Sequence, residues 1–359
     1  MLYTLFEEHL RLLRYITFRA AMAAVAAFGL TLLFAPRVIA WLRRKKIGER
    51  VEKGDSVRLD EMHRAKNETP TMGGIFMVLA VIGATFLFGR TDSSLLGGAT
   101  AILGSYGLLG FADDYIKLAL PGRKGLKGRT KIVVQFAVAI GIGCWLYYDA
   151  INRPGGSSLL LPFFKAGQVD LGRFYPLFVA LVIVGSSNAV NITDGLDGLA
   201  AGSAAIVALV YAVIAYVTGR SDFSHYLWLP CVEGSGELSI LCAALTGACL
   251  GFLWFNCHPA QVFMGDVGAL PIGGVLGYVA VVTKQEILLV FVGGLFVIEA
   301  LSVIVQVAVF KTTGRRVFRI APLHHHFQFA GWPEAKITVR FWILAAMLAF
   351  LGLATLKVR

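Results

Sequence analysis

Charge is scarce in this chain. Asp, Glu, Lys and Arg make up 15% of its 359 residues, where a soluble domain carries roughly a quarter. Hydrophobic residues reach 57%, and the mean hydropathy is +0.71. A single large soluble domain is thereby excluded. A disulfide framework is lacking too. Of Cys144, Cys231, Cys242, Cys249 and Cys257, four lie in or at the end of apolar segments. An odd count without metal-type spacing gives free thiols that pack as small hydrophobes. A cleaved signal peptide is not expected, because Glu7 and Glu8 occupy the stretch that should be positive. No tandem repeat or low-complexity segment occurs. The net charge of +11 comes without a basic stripe interleaved with aromatics, and the cations flank hydrophobic segments instead. Membrane topology produces that pattern, so nucleic acid is not an expected partner.

What is present is a series of apolar segments: 17–41, 72–89, 94–112, 132–148, 174–190, 198–217, 237–255, 267–283, 286–310 and 337–356. Crossing a bilayer core takes roughly 20 helical residues. The pattern predicts an all-α polytopic integral membrane protein with about ten transmembrane helices, formed as a single membrane-embedded domain over 1–359. Ahead of the first segment, Leu2, Leu5, Phe6, His9, Leu12, Leu13 and Ile16 follow helical spacing, which predicts an amphipathic helix lying in the interface. Short apolar runs around Lys165 and Gln168 predict a small extracytoplasmic hairpin within 157–171.

Lysine and arginine counts set the expected orientation. With the N-terminus outside, loops 43–71, 112–131 and 311–336 hold 9, 6 and 5 of them, 20 in all, against 10 in the outer segments. That asymmetry predicts N-out, C-out, with loops 43–71, 112–131, 188–197, 256–266 and 311–336 forming one cytoplasmic face.

Those loops carry the chemistry. Polar and ionisable groups at the edge of a hydrocarbon slab are costly, so five runs of them on one face point to function. Asp113 and Asp114 close the third segment, where the helix end is already negative, so a cation must be near. Lys117, at i+4 and i+3, offers a plain helix-end ion pair; the alternative is a divalent-cation or phosphate site. Asp194 and Asp197 open the sixth segment. Capping accounts for one of them and leaves the other, with Asn188 and Asn191, unexplained. Asp266, in Phe263-Met-Gly-Asp-Val-Gly268, begins the eighth segment and is a metal-ligand candidate. Mg²⁺ suits such a face, because it takes few carboxylates and completes its shell with water and phosphate oxygens. His324, His325 and His326 are consecutive and cannot all face one zinc ion; beside a pyrophosphate they would donate hydrogen bonds or move a proton. Lys66, Lys124, Lys127, Arg129 and Lys131 offer phosphate-binding charge that the positive-inside rule also explains. Glu299, inside the ninth segment, takes no assigned role. The residues alone thus describe a membrane enzyme handling phosphates with Mg²⁺. The rival is a transporter, which would put ionisable groups at the midplane within an inverted repeat; none is visible.

The runs Thr69-Pro-Thr-Met-Gly-Gly74, Asp113-Asp114, Asn188-Ala-Val-Asn-Ile-Thr-Asp-Gly-Leu-Asp197, Phe263-Met-Gly-Asp-Val-Gly268 and Pro322-Leu-His-His-His-Phe327 resemble those of the phospho-N-acetylmuramoyl-pentapeptide-transferase family, over essentially the whole chain. The Asp-Asp pair and the Asn-x-x-Asp loop are similar to the wider polyprenyl-phosphate sugar-1-phosphate transferases. The resemblance implies transfer of phospho-MurNAc-pentapeptide from UDP-MurNAc-pentapeptide to undecaprenyl phosphate, giving lipid I and UMP. It also implies ten spans, a homodimer and the bacterial inner membrane. Within it, Asp113 or Asp114 deprotonates or orients the lipid phosphate, Asp266 binds Mg²⁺, and Asn191 and Asp194 belong to the same centre. Lys66, Asp197, Asn256 and Phe263 match the uridine pocket, and His324 and His325 match positions near the pyrophosphate and sugar. Thr71, Lys117, Lys131, Asn188 and His326 complete the substrate-binding candidates. The nearest enzymatic alternative is a related transferase using UDP-GlcNAc.

Overall fold

A computed structural model describes residues 11–45, 69–119, 125–150, 156–161 and 167–356. Lys66, Lys124, residues 46–68 of the first inner loop and most of the expected N-terminal amphipathic helix lie outside them. Arg11–Arg14, at the end of that stretch, form a single 3₁₀ turn.

The apolar segments fold as helices. In chain order these are α1 (Ile16–Arg44), α2 (Gly74–Phe88), α3 (Ser94–Ala119), α4 (Gly128–Ala150), α5 (Tyr175–Thr193), α6 (Leu199–Thr218), the short α7 (Ser221–Leu227), α8 (Gly236–Asn256), α9 (Asp266–Val282), α10 (Glu286–Val292), α11 (Gly294–Thr313), the short α12 (Leu323–Phe329) and α13 (Glu334–Thr355). Eight of them are long and apolar enough to cross a membrane: α1, α3, α4, α5, α6, α8, α11 and α13. α2 and α9, at 15 and 17 residues, are shorter. At 1.5 Å per residue they reach about 22–26 Å, and the chain before each is non-helical loop. Two boundaries differ from expectation. The third segment continues as helix to Ala119, so Asp113 and Asp114 lie inside α3. The ninth breaks at Gly293, separating α10 from α11; adjacent glycines ease such a break. The hairpin is present as β1 (Ser158–Leu160) and β2 (Gln168–Asp170), antiparallel with Leu159 opposite Val169.

α6, α8 and α9 form the centre. Every residue of α9 from Val267 to Val282 is buried. α1, α4, α11 and α13 are peripheral and present exposed apolar side chains such as Val25, Val133, Ile304 and Phe350. Where apolar solvent gives helices no reason to associate, contact depends on close backbone approach. Gly247 on α8 meets the backbone of Ala24 on α1, and Gly273 and Gly277 on α9 meet α5 at Ser186 and Ile183; a Cβ at any of the three would collide. At the opposite end from the motif loops, Arg19 on α1 and Glu237 on α8 form a buried two-pronged pair, at 2.9 and 2.7 Å. Glu237 also accepts the Arg90 N–H.

Candidate active site

Three helices bring three carboxylates and two ammonium groups together. Asp113 and Asp114 lie near the end of α3, with Lys117 one turn on. Lys131 is in the first turn of α4, and Asp266 is the first residue of α9. Lys117 Nζ stands 2.6 Å from Asp113 Oδ2, 3.2 Å from Asp114 Oδ1 and 3.6 Å from Asp266 Oδ2. Lys131 Nζ is 2.7 Å from Asp266 Oδ2 and 3.3 Å from Asp113 Oδ2. Carboxylates this close repel one another, and the C-terminal end of α3 adds to the repulsion. Two shared cations offset it. The helix-end ion pair expected for Lys117 exists, but it belongs to a five-member cluster.

Each carboxylate accepts a further hydrogen bond. Asp113 Oδ1 accepts the Leu126 N–H at 2.7 Å, Asp114 Oδ2 accepts the Val267 N–H at 3.2 Å, and Asn191 on α5 donates to Asp266 Oδ1 at 2.8 Å. Side-chain exposure is 1% for Asp113, 5% for Asp114 and 14% for Asp266. Asp266 is therefore the carboxylate most open to an arriving ligand. Ligand oxygens of all three lie within 4.8 Å of one another. Hard oxygen donors at this spacing, already drawing two ammonium groups, fit a divalent cation such as Mg²⁺.

Backbone geometry sets the spacing. Gly110, three residues before Asp113, lies against the backbone of Asp266, where a Cβ would collide. Gly265 adopts φ +73°, and a Cβ there would stand 2.5 Å from Asp114 Oδ2 and 3.2 Å from Thr71 Oγ1. A residue with a side chain would be strained and crowded here. The Thr69–Gly74 run is tied to the same loop: Phe263 N donates to Pro70 O, Gly73 N to Phe263 O, and Gly74 N to Met264 O, at 2.8–2.9 Å. Buried non-helical backbone is thereby satisfied, as a membrane interior requires.

Beneath the carboxylates lies a polar layer in which Asn188, singled out by the sequence, meets partners that were not. Gln135 on α4 accepts from Asn188 Nδ2 at 2.9 Å and donates to Ser187 Oγ at 3.3 Å, while Ser187 donates to Leu270 O. Asn188 thus supports α5 against α4. A lone glutamine in an apolar helix has no spacing by which to be recognised.

Asp197 and Asn256 shape the neighbouring loop. Asp197 Oδ2 accepts the Ala260 N–H at 3.1 Å and faces His258 Nδ1 at 2.9 Å, while Glu334 Oε1 accepts the Asp197 N–H. Asn256 accepts the Gly198 N–H at 3.0 Å and donates to Val262 O at 2.8 Å. Both side chains are buried and hold the segment that carries half-buried Phe263. The capping expected of one Asp at the start of the sixth span is not found: Asp194 ends α5, and Gly198 precedes α6 with no side-chain cap. His258 and Glu334 were not expected here; Asp197, His258 and Glu334 are far apart in sequence.

The three histidines diverge. His324 is fully buried. Its N–H reaches Glu299 Oε1 at 3.1 Å, and its Nδ1 lies 3.2 Å from Glu299 Oε2. His325 Nδ1 meets Gln328 Oε1 at 2.7 Å, and His326 Nδ1 accepts the Arg319 N–H at 3.2 Å. Glu299, unassigned from sequence, is the partner of His324.

The glycosyl transferase family 4 model matches residues 93–284, the stretch holding the Asp pair, Lys131, Asn191 and Asp266. A phospho-N-acetylmuramoyl-pentapeptide-transferase of Thermodesulfovibrio yellowstonii is 47% identical over 351 residues, covering 98% of this chain and 96% of that protein. The chain belongs to the phospho-N-acetylmuramoyl-pentapeptide-transferase family. Of the positions matched to that family by motif, Asp113, Asp114, Asn191 and Asp266 share one hydrogen-bonded cluster. Asp197 and Asn256 fix the loop of Phe263. Lys66, the remaining uridine-pocket position of the family pattern, lies outside the described residues. Among the described cations of 125–131, Lys127 and Arg129 are exposed, and Lys131 is the one that touches the carboxylates.

Proposed function

We propose that this chain transfers phospho-MurNAc-pentapeptide from UDP-MurNAc-pentapeptide to undecaprenyl phosphate, yielding lipid I and UMP, at the cytoplasmic face of a bacterial inner membrane. The observation that carries the proposal is the cluster of Asp113, Asp114 and Asp266 bound by Lys117 and Lys131, at helix ends rather than mid-span. The 20 to 10 lysine–arginine asymmetry supports the cytoplasmic orientation. The reading takes the chain as one catalytic domain acting as a homodimer, as the family resemblance implies.

Phosphoryl transfer asks a protein for alignment and charge neutralisation more than for covalent chemistry. The oxygen of the lipid phosphate attacks the sugar-bearing phosphorus of the UDP substrate. The phosphoanhydride bond breaks, and UMP leaves with its electron pair. Asp114, tied to the first turn of α9, takes or holds off a proton on the incoming phosphate, with Asp113 behind it. Lys117 and Lys131 are long enough to leave the carboxylates and meet phosphate oxygens. Asn191 fixes the Asp266 carboxylate while they do so. Asp266, with Asp113 or Asp114, would hold Mg²⁺, which when bound draws charge from the diphosphate. Thr71 flanks Asp114 across Gly265. Phe263 offers a face for the uracil ring, and Asp197 and Asn256 hold its loop in register. The family pattern matches His324 and His325 to positions near the pyrophosphate and sugar; His325 and His326 are the partly exposed histidines of the three.

The decisive assay offers purified protein undecaprenyl phosphate with either UDP-MurNAc-pentapeptide or UDP-GlcNAc. Lipid I and UMP from the first alone are expected. Turnover of UDP-GlcNAc instead moves the chain to the related transferases.

A further inference from the structure

Glu299 is a carboxylate in the second turn of the largely apolar α11, and it is fully buried. Taking such a group out of water is costly unless it is paired, and its retention calls for a purpose. Among the described residues, the ring that stands within ion-pair distance of it is that of His324, also fully buried. Glu299 Oε1 accepts the backbone N–H of His324, in the first turn of α12, so the carboxylate joins α11 to α12. Glu299 Oε2 stands 3.2 Å from the ring Nδ1, within ion-pair reach though not aligned as a hydrogen bond. A carboxylate on that side favours the proton on Nδ1. The other ring nitrogen, Nε2, is buried without a hydrogen-bond partner and presses on Gly195, where a Cβ would collide with it.

Gly195 follows Asp194 in the turn that ends α5. Asp194 N–H and Gly195 N–H bond back to Asn191 O and Thr193 O. Asn191 in turn holds Asp266. A continuous path of contacts therefore runs from Glu299 through His324 and the 194–195 turn to the most open carboxylate of the cluster. With no exposed surface, His324 cannot reach a bound diphosphate as it stands.

We infer that Glu299 and His324 are a buried pair of positioning residues, which act on the transfer by bracing the Asp194–Gly195 turn behind Asn191 and Asp266, and not by touching either substrate. The inference rests on the proposed transferase activity for its kinetic test alone.

The experiment uses the full chain in detergent with E299Q, H324N, the double variant and, should E299Q not fold, G195A. Losing a group that orients an active-site ligand typically costs about 10- to 100-fold in activity. We expect kcat to fall in that range in E299Q and H324N, with KM for UDP-MurNAc-pentapeptide and affinity for UMP within about twofold of the parent, and the double variant no worse than the poorer single one. A direct contact would instead make H324N weaken UMP or UDP-substrate binding at least tenfold while E299Q stays near normal, and that result overturns the inference. So does a parent-like kcat in E299Q or, in its place, G195A. A second readout needs no turnover: ¹⁵N-histidine spectra should show His324 protonated on Nδ1 in the parent and altered in E299Q. An unaltered spectrum also overturns the pairing. Should the parent be inactive with both UDP-sugars, the proposed function fails while this spectroscopic test still decides the pair.

Discussion

Lys131 Nζ and Asp266 Oδ2 lie 2.7 Å apart, joining the first turn of α4 to the first residue of α9 across 135 positions of sequence. Neither helix can slide without separating a charge from its partner in a half-buried setting. Such an ion pair is worth more as a register device than as stability. It also marks where a cation belongs when the ammonium group turns to substrate.

Asp266 is therefore the residue whose charge matters most to a metal. Asp266→Asn should keep the Asn191 contact in one amide orientation yet lower kcat by about a hundredfold or more, as expected for losing one electrostatic stabiliser. Activity of the parent should vanish in excess chelator and return with Mg²⁺ or Mn²⁺. Lipid I formation across a chelator titration measures both; full turnover without divalent cations contradicts the metal assignment.

Phe263 is half-buried on a loop whose backbone is tied at both faces. Base–aromatic stacking contributes about 1–3 kcal/mol. Phe263→Ala should weaken UMP binding roughly tenfold to a hundredfold by calorimetry, with affinity for undecaprenyl phosphate unchanged. Equal nucleotide affinity in the variant would reduce Phe263 to packing.

Away from the site, the Arg19–Glu237 pair predicts a loss of stability without a loss of chemistry. Glu237→Ala leaves Arg19 buried beside the Phe88 carbonyl that it still reaches at 3.1 Å. Breaking a buried pair from one side costs about 3–5 kcal/mol. The apparent Tm in detergent should drop, while KM for both substrates at low temperature should match the parent. An unchanged Tm would mean that water reaches this pair.

The last prediction concerns the order of events. A phosphate monoester is already an anion, so the lipid phosphate can attack directly. An aspartyl intermediate would instead let UMP leave before the lipid arrives. Enzyme mixed with UDP-MurNAc-pentapeptide and no lipid phosphate should release no stoichiometric UMP. A burst that disappears in Asp113→Asn or Asp114→Asn would establish the covalent route.

The carboxylates were legible in the sequence because an apolar chain makes each polar run conspicuous. Asp113, Asp114, Asn191 and Asp266 stand out, and the fold brings them within hydrogen-bonding distance through one cluster. Hydropathy could not see that α3 continues past residue 112, since Lys117 neutralises its end at i+3 and i+4. Pairings such as Glu299 with His324, or Asp197 with His258 and Glu334, join residues up to 137 apart, and no periodicity encodes them. Gln135 was missed for want of a pattern, and the break at Gly293 because an apolar run reads the same whether whole or split.

The backbone bonds between Pro70–Gly74 and Phe263–Met264 make a single jaw of two loops nearly two hundred residues apart. A molecule that wedges Phe263 aside must drag Met72 and Thr71 with it, and so disturb the setting of Asp114 across Gly265. Drug resistance acquired at such a face would then surface in the 70–74 stretch as readily as beside the base, through substitutions that never meet the inhibitor.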